Sequence, residues 1–234
     1  MQWTFDQVHL GVPDPLAGAA WYRQYLGATP GDHVDRVMFG GTRFIYLRNE
    51  SPAPSRNAAI DHVALAVPDL DARLKALEGS GARLVSPPGP SGGRRSCMVE
   101  DPWGTSLELV EDATSGLDHV HLRVPDPART SQWYVDNFAG AAGSFDGRSD
   151  GVRCADVWLV IEQGSAEPSR GHAIDHIGYR VPDLAGAAAD LKRRGVTFTT
   201  EPHAGPPGAH APALMSFVED PWGVKIELLQ RRGE

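Results

Sequence analysis

Four short segments repeat one position at which side chains capable of metal chemistry stand. DQVHLGVPD, DHVALAVPD, DHVHLRVPD and DHIGYRVPD begin at Asp6, Asp61, Asp118 and Asp175. Five residues before the valine of each VPD (Val12, Val67, Val124, Val181) stand Gln7, His62, His119 and His176. A single strand histidine is ordinarily a packed polar residue, but recurrence at one position points to a shared task, and neutral imidazole is a common ligand of divalent metals. The closing strands add Glu108 in SLELV and Glu227 in KIELL, in the same register after two EDPWG pentapeptides. A glutamate between apolar residues of an interior strand is heavily desolvated unless paired or bound to a cation. Taken half by half, the ligand sets read His119, His176 and Glu227 in the second half, and Gln7, His62 and Glu108 in the first. Two imidazoles and a carboxylate make a facial set for an ion such as Fe(II), with positions open to substrate and oxygen. Gln7 offers only a neutral amide oxygen, so the first-half set is the weaker.

The elements that carry these side chains follow from local pattern. Val120, Leu122 and Val124 alternate with His119, His121 and Arg123, which is the period of a strand with one apolar and one polar face. His9 and His121 lie two residues beyond the ligand positions on the same face, as pocket residues. A helix follows each strand: in the first module Asp14 is placed as N-cap, Pro15 as first helical residue, and Gly27 as stop after LAGAAWYRQYL. Strand pieces such as RFIYL, SCMVED, VWLVI and SFVED follow, and EDPWG reads as a turn with Pro second and Gly fourth. The unit is a βαβββ module whose helix covers one sheet face and leaves the other as a concave wall.

The modules come in two copies. VPDP at Val12 to Pro15 and Trp21-Tyr22 recur 112 residues on; PSR and IDH, from Pro54 and Ile60, recur after 114; EDPWG recurs after 119. The boundary falls in EDATSG, giving domains at 1–114 and 115–234. The larger insertion is EPHAGPPGAHAP, which contains His203 and His210. Its prolines and glycines predict an irregular loop from Pro202 to Pro212 bordering the second-half cleft, more mobile than its counterpart from Pro87 to Gly93. His210, as a residue type able to titrate near neutrality, is the candidate catalytic acid/base there.

Composition sets the outer limits. The 234 residues are 41% hydrophobic with net charge −8, and the acids and bases are mixed, so no basic block suits nucleic acid. Apolar runs such as Val157 to Ile161 are far too short for a membrane span, and the start lacks a signal pattern; a cytoplasmic protein with a small-molecule substrate is expected. Cys97 and Cys154 sit at non-equivalent points of the repeat and read as buried small hydrophobes. The pairs Arg94-Arg95 and Arg193-Arg194 read as solvated. Monomer and homo-oligomer both stay open.

From about Phe5 to Gln230 the chain resembles the vicinal oxygen chelate superfamily of glyoxalases, bleomycin resistance proteins and extradiol dioxygenases. The resemblance implies an α+β fold of four βαβββ modules in two tandem domains, each an open curved sheet cleft, with metal ligands at the positions named above. In glyoxalases and epimerases of the family a further ligand comes from the last strand of the first module; by register that place falls near Tyr46 and Val160, and valine cannot bind a metal. GAHAPALMSFVEDPWGVKIE is similar to the signature of two-domain extradiol dioxygenases, with His210 and Phe217 before Asp220, Pro221, Gly223 and Glu227, although the family has tyrosine where Phe217 stands. The resemblance thus implies an extradiol-type dioxygenase acting on a small vicinal diol or hydroxy-ketone. Fe(II) is the first choice of metal, with Mn(II), Zn(II) or Ni(II) as alternatives, and His121, Phe217, Val160 and Tyr46 line the pocket. The rival implications are a metal-dependent isomerase or lyase of glyoxalase or epimerase type, and a metal-free small-molecule binding protein of drug-resistance type.

Overall fold

The VPD aspartates cap helices in all four modules. The side chains of Asp14, Asp69, Asp126 and Asp183 accept hydrogen bonds from backbone N–H groups two or three residues on, satisfying donors that the first helical turn leaves unpaired. The structure, a computed structural model, describes residues 2–147, 149–207 and 211–232. Module one contains β1 (Thr4–Val12), α1 (Pro15–Leu26), β2 (Thr29–Pro30), β3 (Arg36–Phe39) and β4 (Thr42–Arg48). Module two contains β5 (Ile60–Val67), α2 (Leu70–Ala76), β6 (Arg83–Ser91), β7 (Arg94–Glu100) and β8 (Ser106–Glu111). Module three contains β9 (Gly116–Val124), α3 (Pro127–Phe138), β10 (Ala141–Phe145), β11 (Ser149–Cys154) and β12 (Val157–Gln163). Module four contains β13 (Ile174–Arg180), α4 (Leu184–Arg193), β14 (Phe198–Ala204), β15 (Leu214–Glu219) and β16 (Lys225–Gln230).

The α+β class, the βαβββ module and its fourfold repetition are as expected. The pairing of modules is not. One eight-stranded sheet runs β14-β15-β16-β13-β1-β4-β3-β2 and the other β10-β11-β12-β9-β5-β8-β7-β6. Module one therefore pairs with module four through antiparallel β1 and β13, and module two with module three through β5 and β9. Residues 1–114 and 115–234 each contribute to both sheets, and each cleft is built across the halves. Four modules that begin alike present similar first-strand edges, so their spacing carries no information about which edges meet.

Other contacts hold each half to itself. Tyr22 on α1 donates to Asp101 at 2.8 Å, and Tyr134 on α3 donates to Asp220 at 3.4 Å, joining the helix of one module to the EDPWG turn of the next. Asp101 and Asp220 also accept backbone N–H groups of their own turns. Gly104 has φ 91° and packs on the backbone of Pro54, where a Cβ would lie 3.1 Å from the proline Cα, so glycine is required.

The PSR segments set the register that matters for the clefts. Ser55 donates to Asp61 O at the start of β5 and accepts from Ser106 N at the start of β8; Ser169 does the same between Asp175 O and Lys225 N. One buried hydroxyl in each sheet thus aligns a histidine strand with a glutamate strand.

β14 extends through Ala204, so Pro202 and His203 are in a strand rather than in the expected loop, and β6 likewise includes Pro87, Pro88 and Pro90. Both strands end their sheets, where a proline's missing N–H leaves no partner unpaired. Among the described residues no helix is long and apolar enough to cross a membrane. Cys97 and Cys154 are free and buried.

Candidate metal centres

In the β5/β9 sheet, antiparallel pairing sets His62 opposite His121 and Ala64 opposite His119, while parallel pairing sets Glu108 beside Ala64. The polar face of three strands thereby converges. His119 Nε2 lies 3.4 Å and His62 Nε2 3.7 Å from Glu108 Oε2. Each imidazole is held from behind: Nδ1 of His62 bonds Asp61 and Nδ1 of His119 bonds Asp118, both at 2.8 Å. A carboxylate at Nδ1 keeps the proton there, so the Nε2 lone pairs face a carboxylate oxygen. Acceptors aimed at an acceptor require a cation or a proton between them, and buried His62 Nε2 has no hydrogen-bond partner. The ring of His121 stacks on His62 at 4.4 Å, and its Nε2 is 3.5 Å from Glu162 on the rim. Ligand atoms of His62, His119 and His121 lie within 4.8 Å of one another.

The charges follow from these contacts. Burial would raise the Glu108 pKa, but His62, a hydrogen bond from Ser96 and the charge of His119 outweigh it and hold the carboxyl at about 2. Burial opposes protonation of His62, yet Asp61 and Glu108 outweigh it and raise its pKa. Burial, with His62 and His119 alongside, pushes His121 down to about 3 and keeps it neutral.

The β1/β13 sheet repeats this plan with one exchange. Gln7 stands where His119 stands, and Gln7 Nε2 donates to Glu227 Oε2 at 2.6 Å. His176 Nε2 is 3.3 Å from the same oxygen, with Nδ1 on Asp175 at 2.5 Å. His9 Nε2 is also 3.3 Å from it, and its ring stacks on His176 at 4.0 Å. Burial, then the charge of His176, lowers the His9 pKa to about 4. Burial opposes ionisation of Glu227, but His176 and His9 outweigh it and hold its pKa well below the carboxylate range.

The half-by-half ligand sets are thereby corrected. His119 joins His62 and Glu108, whereas His176 and Glu227 join Gln7, because the sheets are exchanged between halves. Val160 faces the cleft opposite His121, but Tyr46 does not face its counterpart. β4 aligns Ile45 with His9 and Tyr46 with Leu10, so Tyr46 points into the helix-side core, against Tyr22. A one-residue error along a strand reverses its faces. Phe217 meets His176 edge-on at 5.4 Å. His210 lies outside the described residues, and His203 is exposed and bonded to Glu201 O. Arg94 corrects its solvated reading by gripping Asp118 with both terminal nitrogens, at 2.5 and 3.0 Å. The aspartates behind the imidazoles were missed in the sequence, although DH recurs in the segments at Asp61, Asp118 and Asp175 and becomes DQ where Gln7 stands.

Comparison with known proteins places the chain in a family. The model described as Glyoxalase/Bleomycin resistance protein/Dioxygenase superfamily matches residues 4–109 and 116–228. The lactoylglutathione lyase of Haemophilus influenzae is 29% identical over 126 residues, which is 49% of this chain and 91% of that protein. A chloroplastic protein of Arabidopsis thaliana named "Probable lactoylglutathione lyase" is 26% identical over 182 residues, 70% of this chain and 51% of its own length. The crystal structure of glyoxalase I from Zea mays shares the fold, with a TM-score of 0.75 at 19% identity, covering 98% of this chain and 92% of that one. Both of these relatives carry lyase names.

Proposed function

The chain belongs to the Glyoxalase/Bleomycin resistance protein/Dioxygenase superfamily, and on that footing we propose that it is a metal-dependent lyase or isomerase of glyoxalase type, working at His62, His119 and Glu108. The observation that carries this reading is the convergence of two Asp-backed imidazole nitrogens on one carboxylate oxygen. Two nitrogens and an oxygen suit Zn(II), Ni(II), Mn(II) or Fe(II). A bound ion of this kind would polarise the hydroxyl and carbonyl oxygens of a hydroxy-carbonyl compound and so acidify the C–H of the hydroxyl-bearing carbon.

The remaining work falls to this chain's side chains. His121, stacked beside the ligands, takes the proton from one carbon and returns it to the next, with the exposed Glu162 carboxylate behind it as exchange partner. Phe145, 4.8 Å from His119, and Trp158 beside it form an apolar wall that limits water. The relatives' names make a 2-hydroxyacyl thioester of glutathione the first product to test. Glutathione mixed with a 2-oxoaldehyde, followed by thioester absorbance, should give turnover that a chelator abolishes and added metal restores. Absence of turnover with every metal would defeat the proposal.

Val160 favours a second reading. With an apolar side chain on the last strand of module three, three protein ligands leave room for substrate and oxygen, as an Fe(II) dioxygenase needs. Oxygen uptake with a panel of catechols separates the two.

A further inference from the structure

The β1/β13 cleft contains a departure from the repeat. If Gln7 simply replaced a ligand histidine, its amide would face the place of an ion. It does meet the Glu227 oxygen, but with an N–H donor at 2.6 Å rather than with a lone pair for an ion. Gly178 opposite makes that possible, since a Cβ there would come within 2.6 Å of Gln7 Cγ. Two residues on, His9 occupies the space beside Glu227. It is 8% exposed, both ring nitrogens lack a hydrogen-bond partner, and Nε2 lies 3.3 Å from the oxygen that His176 Nε2 also approaches. Ligand atoms of His9, His176 and Glu227 fall within 4.8 Å of one another. On the neighbouring strand the residue level with His9 is Ile45, which has no donor atom.

We propose that His9, His176 and Glu227 form a second divalent-metal centre, in which His9 takes the ligand role that the Gln7 position has lost. Each centre then has two imidazole ligands and one carboxylate, and in the β1/β13 cleft the second imidazole comes from the position two residues along β1, on the same strand face, where His121 stands in the other cleft. Gln7 is a positioning residue, fixing the Glu227 carboxylate by its hydrogen bond. A buried imidazole with two unpaired nitrogens is otherwise costly, and a borderline cation such as Co(II), Ni(II) or Zn(II) satisfies it. This inference goes beyond the proposed function, which rests on the other cleft.

The test is metal stoichiometry of the full chain, stripped with a chelator and reloaded with Co(II), read by elemental analysis and by visible absorption of the bound ion. Wild type should bind two ions per chain, His9→Ala one, and Gln7→Ala two, with a shifted spectrum at most. Glu108→Gln should also bind one, and combining it with His9→Ala should leave none. If His9→Ala fails to fold, His9→Phe keeps a ring stacked on His176 and should likewise bind one ion. Two ions in a folded His9 variant, or one in Gln7→Ala, would overturn the assignment. A wild-type count of one that Glu108→Gln abolishes would overturn it while sparing the proposed function. A count that Glu108→Gln leaves unchanged would instead strike the proposed function.

Discussion

His119 and Glu108, from different halves of the chain, meet at 3.4 Å across the β5/β9 pairing. Substitutions that look remote in sequence should therefore act as one. His119→Ala and Glu108→Gln should each lower turnover by at least a hundredfold, and the double variant should be no worse than either, because members of one functional unit are strongly non-additive. Multiplicative losses in steady-state assays would place the two residues in separate sites.

His121 is assigned proton transfer rather than binding. His121→Ala should keep the metal of the β5/β9 centre and its KM while kcat falls by about 10² to 10⁴, the usual worth of a general acid or base. Loss of metal in elemental analysis would make it a ligand instead.

The aspartates behind the ligands should matter nearly as much as the ligands. Asp118→Asn removes the charge that holds His119 in orientation and that Arg94 grips. Metal affinity by competition with a chromophoric chelator should drop by about 10- to 100-fold. Affinity unchanged from wild type would show that the imidazole needs no such support.

Asp220 makes a prediction about stability. Burial pushes its carboxyl from 3.8 up to about 6, so between those values the folded chain holds a proton that the unfolded chain has released. That contribution is complete below the unfolded pKa and is lost as pH rises through about 6. Asp220→Asn stays neutral throughout, so its stability relative to wild type should rise from pH 4 to pH 7 by up to about 3 kcal/mol. Urea unfolding at the two pH values measures this, and a difference independent of pH would contradict it.

How much of this was legible in the sequence can be judged from particular residues. His62, His119 and His176 were readable as a set because side chains on a strand alternate and the modules repeat, and Glu108 and Glu227 because EDPWG marks their register. The partnership of His119 with Glu108 was not, since pairing between strands distant in sequence leaves no period. Tyr46 was misplaced by one residue, which on a strand means the opposite face. Pro87 and Pro202 lie in strands because those strands end their sheets, a property of topology rather than of local composition. Local rules thus located the candidate ligands, while non-local pairing decided how they group.

Turnover is assigned to the centre of His62, His119 and Glu108 rather than to the second cleft. The most direct measurement is turnover of Glu108→Gln beside Glu227→Gln, with the glutathione–oxoaldehyde mixture and saturating metal. Glu108→Gln should abolish thioester formation while Glu227→Gln keeps most of it; an active Glu108→Gln enzyme beside an inactive Glu227→Gln enzyme would place the chemistry in the other cleft.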